Sequence, residues 1–200
     1  MSEQKANPKA NPPFILASAS ARRRELLAEL LHDYEVTVAE VEELSSHPDG
    51  PTSLVMENAR LKARAIAEQR PEAWVLGADT IVTLGDEVFG KPADLVEATV
   101  MLRRLSGKTH EVRTGLCLVR LVGAYEETRV ETSQVTFREL DDGIIDEYFA
   151  EVNPLDKAGG YAIQIRGELI VEDFEGSRSN VIGLPLELLR EWLDSLGLAG

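Results

Sequence analysis

The residues best suited to chemistry stand in two short groups. In the first, the apolar run Ile15-Leu16-Ala17 passes through Ser18-Ala19-Ser20-Ala21 into Arg22-Arg23-Arg24-Glu25-Leu26-Leu27. The first turn of a helix has unpaired backbone N–H groups and a positive dipole end, so guanidinium groups there are unfavourable unless an anion lies among them. The same residues also suit an ordinary amphipathic helix, capped by Ser20 and burying Leu26, Leu27, Leu30 and Leu31. A capped helix can still hold phosphate, so the two readings coexist. In the second group, Val75-Leu76-Gly77-Ala78-Asp79-Thr80-Ile81-Val82, an acid interrupts an aliphatic strand. A carboxylate there is costly unless it meets a cation or strong hydrogen bonds, the alternative being a turn or cap aspartate.

Basic residues adjoin several predicted strands. Lys62 falls on a helix beside its apolar stripe, Lys91 in the turn Gly90-Lys91-Pro92, and Lys157 in Leu155-Asp156-Lys157-Ala158-Gly159-Gly160-Tyr161. Each alone reads as solvent-facing, yet together they are what a triphosphate of charge roughly −4 needs from several sides. Glu42 and Glu43 end a strand-like run and also read as solvated surface. Adjacent strand residues face opposite ways, so only one could join Asp79 in holding a hard divalent cation such as Mg²⁺ or Mn²⁺. Ser106-Gly107-Lys108-Thr109 has the end of a P-loop, but Leu102 stands where that motif needs glycine, and a helix precedes it. Gly107 is read instead as a helix stop, with Lys108 at the C-terminal dipole.

Composition narrows the classes. A net charge of −14 opposes general nucleic-acid binding without excluding a basic pocket. No apolar run approaches the roughly 20 residues that span a bilayer, and a cytoplasmic location is expected. His32, His47 and His110 have no cysteine partners at zinc spacing, and Cys117, the lone cysteine, lies in a strand-like core segment.

The elements that must position these groups alternate. Residues 1–12 read as a flexible tail and 13–200 as a single domain. Strands are expected near 13–17, 34–41, 74–83, 111–122, 126–138, 161–165 and 168–172, and helices near 21–32, 52–69, 94–105, 141–151 and from 184–185 onward. Leu84-Gly85-Asp86-Glu87 predicts a hairpin, and Gly123 the turn of a second antiparallel pair. The fold class is therefore α/β with a mixed, mostly twisted sheet flanked by helices.

Assembled in order, these motifs resemble the Maf family of nucleoside triphosphate pyrophosphatases. The resemblance covers residues 14–196 and is carried by Leu16-Ala17-Ser18-Ala19-Ser20-Ala21-Arg22-Arg23, Val41-Glu42-Glu43, Lys62, Gly77-Ala78-Asp79-Thr80, Gly90-Lys91-Pro92, Ser106 to His110, Asp156 to Gln164 and Asn180 to Pro185. It implies an inosine-triphosphatase-like fold with two lobes around a cleft. By position, it implies that Asp79 is the catalytic carboxylate, that Glu43 helps it hold a divalent metal, and that Ser18, Arg22, Arg23, Lys62, Lys91 and Lys157 bind triphosphate. Arg22, Thr80 and Gln164 resemble the branch that hydrolyses dTTP and UTP, with Thr80 and Gln164 reading the base edge. Ala21 replaces a usual proline, Arg178 a usual aromatic, and Glu42 a usual aspartate. The resemblance also allows a homodimer. It leaves open a nucleotide-binding regulator of cell division or septum formation, and a pyrophosphatase for another base such as CTP or 7-methyl-GTP.

Overall fold

A computed structural model describes residues 12–198. The expected tail, apart from Pro12, lies outside the described residues. A seven-stranded mixed sheet runs in the order β2 (Glu35–Val36), β1 (Phe14–Ala17), β3 (Trp74–Leu84), β5 (Thr109–Arg120), β6 (Tyr125–Phe137) and β7 (Val171–Glu175), while β4 (Glu87–Phe89) pairs separately with β3. β1 is parallel to β2 and β3, and the other pairings are antiparallel. The predicted hairpins form at both expected turns.

The pairing of β3 places the site. β5 takes one edge of β3 from Val75 to Thr83. On the other edge β1 covers Trp74–Gly77 and β4 covers Val82–Leu84. Among the described residues no strand covers Ala78–Ile81 on that edge, so the sheet opens at the residues that include Asp79.

Each face of the sheet is held by a different layer. α2 (Pro51–Ala67) lays Ala59, Ala63, Ile66 and Ala67 on Ile15, Ala17, Val75, Cys117 and Val119. Its approach is close because Gly77 and Gly115 face it: a Cβ on Gly77 would sit 2.1 Å from the Ala59 carbonyl oxygen, and one on Gly115 2.5 Å from the Val55 backbone. On the opposite face α1 (Ala21–Leu27) and α7 (Leu186–Ser195) pack Leu26, Leu27, Leu189, Trp192 and Leu193 against Leu16, Leu76, Leu116 and Leu118. Farther along, α3 (Leu95–Leu105) and α4 (Asp142–Glu151) bury Leu102, Leu105, Ile145 and Tyr148 with Val82, Val112 and Phe137. Gly107 follows the end of α3 at φ +65, and Lys108 Nζ donates to the Arg104 carbonyl at 2.8 Å. That is the expected helix stop.

Four expectations are corrected. The strand expected over 34–41 is only Glu35–Val36, because its partner β1 is four residues long and the chain then departs toward α2. The strands expected at 161–165 and 168–172 are replaced by an irregular segment, a helical turn α5 (Gly167–Ile170) and β7. Arg166, in the left-handed region at φ 50, turns the chain into α5, and pairing with β6 begins only at Val171. α1 ends at Leu27 and continues as turns, and α6 (Arg178–Ile182), absent from the sequence reading, precedes α7.

Candidate active site

Asp79 leaves β3 on the α2 face, where the two glycines let the helix sink onto the sheet. Lys62 Nζ lies 2.8 Å from Asp79 Oδ1 and 2.9 Å from Glu43 Oε2. Lys62 belongs to the buried side of α2 rather than lying beside it. Burial alone pushes the Asp79 pKa up. Lys62, by charge and hydrogen bond, together with Arg23 and Asn58, more than reverses this and holds the carboxyl below its ordinary value. The carboxylate is thus ionised at neutral pH.

Asn58, one turn before Lys62, is the residue sequence reasoning missed. Its amide donates to Asp79 Oδ2 at 3.2 Å and to the Leu44 carbonyl at 3.0 Å, while its Oδ1 accepts from Leu44 N at 2.8 Å. It ties the loop bearing Glu43 to the helix bearing Lys62. Two polar residues four apart within the apolar stripe Leu54, Val55, Ala59, Ala63 and Ile66 were the available signal.

Thr80 leaves β3 on the other face, toward α1. Arg23 reaches across the open edge: Nη1 donates to the Ala78 carbonyl at 3.0 Å, Nη2 to Thr80 Oγ1 at 2.9 Å, and Nε to the Gly183 carbonyl at 2.9 Å. Burial lowers the Arg23 pKa against the pull of Asp79 and Glu43, yet a guanidinium stays charged. Ser20 caps α1 as expected, accepting from Arg23 N at 3.4 Å, and Ser18 Oγ accepts from Ser20 N at 3.2 Å.

The anion inferred beside the arginines has an internal counterpart. Arg22 Nη1 donates to Asp156 Oδ2 at 2.5 Å and Nη2 to the Asp156 carbonyl at 3.0 Å, while Lys157 Nζ donates to Asp156 Oδ1 at 2.6 Å. Partial burial raises the Asp156 pKa, but the hydrogen bonds from Lys157 and Arg22 bring it below the usual carboxylate value. Lys91 and Gln164 are exposed nearer the rim.

All of the predicted site residues, Ser18, Arg22, Arg23, Glu43, Lys62, Asp79, Thr80, Lys91, Lys157 and Gln164, line one cavity of about 950 Å³. Arg178 is exposed at the start of α6, whose contribution to the cavity wall is Val181 and Ile182, followed by Gly183. Among the described residues no cluster of three or more His, Cys, Asp or Glu side chains stands ready for a metal. The donor set nevertheless fits a hard divalent ion: Glu43 and Asp79 aim carboxylate oxygens at the same cationic centre, and such ions take one or two carboxylates together with substrate phosphate oxygens.

Fold and site define a mixed α/β protein in which a polyanion can lie along an opened strand edge beside a buried carboxylate. The chain shares its fold with the Staphylococcus aureus Ham1 protein, at a TM-score of 0.51 and 16% identity over 92% of this chain and 99% of that one. By sequence it belongs to the Maf-like protein family, whose pattern matches residues 13–196. Relatives named dTTP/UTP pyrophosphatase include one from Myxococcus xanthus, 49% identical over 92% of this chain and 93% of the relative. Another, from Deinococcus radiodurans, is 45% identical over 94% and 95%, respectively.

Proposed function

We propose that this protein is a nucleoside triphosphate pyrophosphatase that hydrolyses dTTP and UTP to the monophosphate and pyrophosphate. One observation carries the reading: an ionised, buried Asp79 lies at the gap in the sheet, inside a cavity that also presents Arg22, Arg23, Lys62, Lys91 and Lys157. Five cations exceed what a monophosphate needs and suit a triphosphate. The base assignment follows from the names of the relatives.

In the reaction, water attacks the α-phosphorus, its oxygen forms the new P–O bond, and the bond to the bridging oxygen of pyrophosphate breaks. Asp79 accepts the water's proton. The cationic side chains neutralise charge gathering on the departing pyrophosphate. Lys62, freed from Asp79 by a phosphate oxygen, removes the main contribution lowering the pKa of that carboxyl, so substrate binding itself makes Asp79 a better base. Arg22 and Lys157 likewise exchange the Asp156 carboxylate for phosphate. Glu43 and Asp79 would hold Mg²⁺ or Mn²⁺, which when bound polarises phosphate oxygens and acidifies a coordinated water. Ser18 contributes a hydroxyl to the phosphate end, and Thr80 and Gln164 read the base. A cytoplasmic location goes with a free nucleotide substrate.

The test is a panel of nucleoside triphosphates assayed for pyrophosphate with Mg²⁺ and with Mn²⁺. Metal-dependent release from dTTP and UTP is expected. Tight nucleotide binding without release would favour the regulatory alternative, and preferential release from CTP or 7-methyl-GTP would overturn the base assignment.

A further inference from the structure

Thr80 is held by a chain of hydrogen bonds whose direction can be read from the atoms. Thr114 Oγ1, fully buried on β5, lies 3.2 Å from the Asn180 carbonyl oxygen. A carbonyl only accepts, so the Thr114 hydroxyl donates there. The demand is physical: Asn180 lies in the five-residue helix α6, and carbonyls in the last turn of a helix have no partner within it. Asn180 cannot drift from this position, because its side-chain amide donates to the Val112 carbonyl at 3.0 Å and to Ser133 Oγ at 2.9 Å.

A hydroxyl has one hydrogen. With that of Thr114 committed, the 2.9 Å contact between Thr80 Oγ1 and Thr114 Oγ1 must take its hydrogen from Thr80. Arg23 Nη2, which can only donate, occupies one lone pair of Thr80 Oγ1 from the other side. What Thr80 has left to offer the cavity is a single acceptor lone pair.

We propose that Thr114 and the Asn180 carbonyl fix Thr80 as an acceptor toward the nucleotide, so that it meets the N3–H of an imide base and rejects cytosine. The inference rests on the pyrimidine triphosphate reading above and adds the base's register to it. Uracil and thymine present O2, N3–H and O4 along their polar edge, and only N3–H is a donor. An acceptor can face these bases at that atom alone. Cytosine carries a lone pair at N3, which in the same register would face the Thr80 lone pair across a half-buried contact, while its amino donor at N4 lies one position along the edge and out of that register. Sites built around one hydrogen-bond polarity reject a mismatched analogue strongly, because a buried polar group is left unpaired. Thr114 acts through Thr80 and is a positioning residue.

The experiment compares kcat/KM for UTP and CTP in the wild type, Thr114→Val and Thr114→Ser. Valine keeps the shape and removes the hydroxyl, which frees the Thr80 hydrogen to turn toward the ligand. The preference for UTP over CTP is expected to fall at least about tenfold in Thr114→Val and to stay within about threefold of wild type in Thr114→Ser. A role confined to packing would lower both activities alike, and an unchanged ratio in folded Thr114→Val overturns the proposal. Should that variant fail to fold, the wild type assayed with 3-methyluridine triphosphate decides. A loss of about a hundredfold or more relative to UTP supports the N3–H contact, and turnover within about threefold of UTP overturns it. A wild type that releases no pyrophosphate from UTP or dTTP overturns the functional reading and this assignment with it, whereas release with an insensitive ratio overturns this assignment alone.

Discussion

Asp79 and Thr80 are sequence neighbours whose side chains leave β3 on opposite faces, and the two surroundings could hardly differ more. On the α2 face, charge is concentrated: Lys62 lies between Asp79 and Glu43, and Asn58 fastens the arrangement. On the α1 face, apart from the Arg23 guanidinium, the contacts are neutral and directional, running from Thr80 through Thr114 to a backbone carbonyl. A strand whose edge is open for four residues exposes both sides to one cavity. Bond breaking and base recognition can therefore sit within one residue of each other while sharing Arg23, which donates to Thr80 and helps hold Asp79 ionised. Each face needs its own device: glycines for close helix approach on one, a hydroxyl chain with fixed polarity on the other.

The glycines of the charged face give the largest expected effect on stability. Gly77→Ala places a Cβ 2.1 Å from the Ala59 carbonyl, so α2 must move or the strand must bend. Overpacking against backbone should cost about 3 kcal/mol, measured by urea denaturation, and should lower kcat with it by carrying Lys62 off Asp79. A variant of wild-type stability would mean that α2 does not need its close seat.

The two faces should also respond to acid in different windows. His110 lies on the Thr80 face with Nε2 2.7 Å from the Tyr161 hydroxyl, and burial pushes its pKa down from 6.5 to about 4. Between those values the unfolded chain binds a proton that the folded chain refuses. Stability should then fall by roughly 3 kcal/mol as pH drops from about 6.5 to 4. Asp79 acts in the same direction at lower pH: its folded pKa lies below the unfolded value, so the stability it contributes is present above that value and lost as pH falls through the folded one. Denaturant titrations from pH 7 to 3 check both. His110→Gln should flatten the upper window and leave the lower limb in place.

A smaller effect is expected at Asn58. Asn58→Ala releases Leu44 and one oxygen of Asp79, and groups that orient a metal- or substrate-binding carboxylate typically influence activity by about ten- to a hundredfold. The loss should appear in kcat more than in the UTP-to-CTP preference, because the contact lies on the charged face.

Much of this was legible in the sequence, for a physical reason. Asp79, Lys91 and Lys157 stand beside glycines or prolines that interrupt apolar runs, and such interruptions mark places where backbone must turn or be approached. Asn58 left a weaker signal, a polar residue four before Lys62 inside the apolar stripe, and taken singly it looks like a boundary of the stripe. Thr114 was hidden among the β-branched residues that any strand favours. The run 34–41 alternates like a strand, yet strand length depends on the partner, and β1 offers only four residues. The segment 161–172 reads as two apolar strands because the turn at Arg166 carries no marker in a non-glycine residue at positive φ.

Asp79→Asn separates chemistry on the Asp79 face from base choice on the Thr80 face. The measurement pairs pyrophosphate release from UTP with equilibrium binding of UTP and CTP to the same variant. A loss of about a thousandfold or more in kcat is expected, with the UTP preference in binding retained. Release at the wild-type rate, or a binding preference that vanishes with the carboxylate, would contradict this separation.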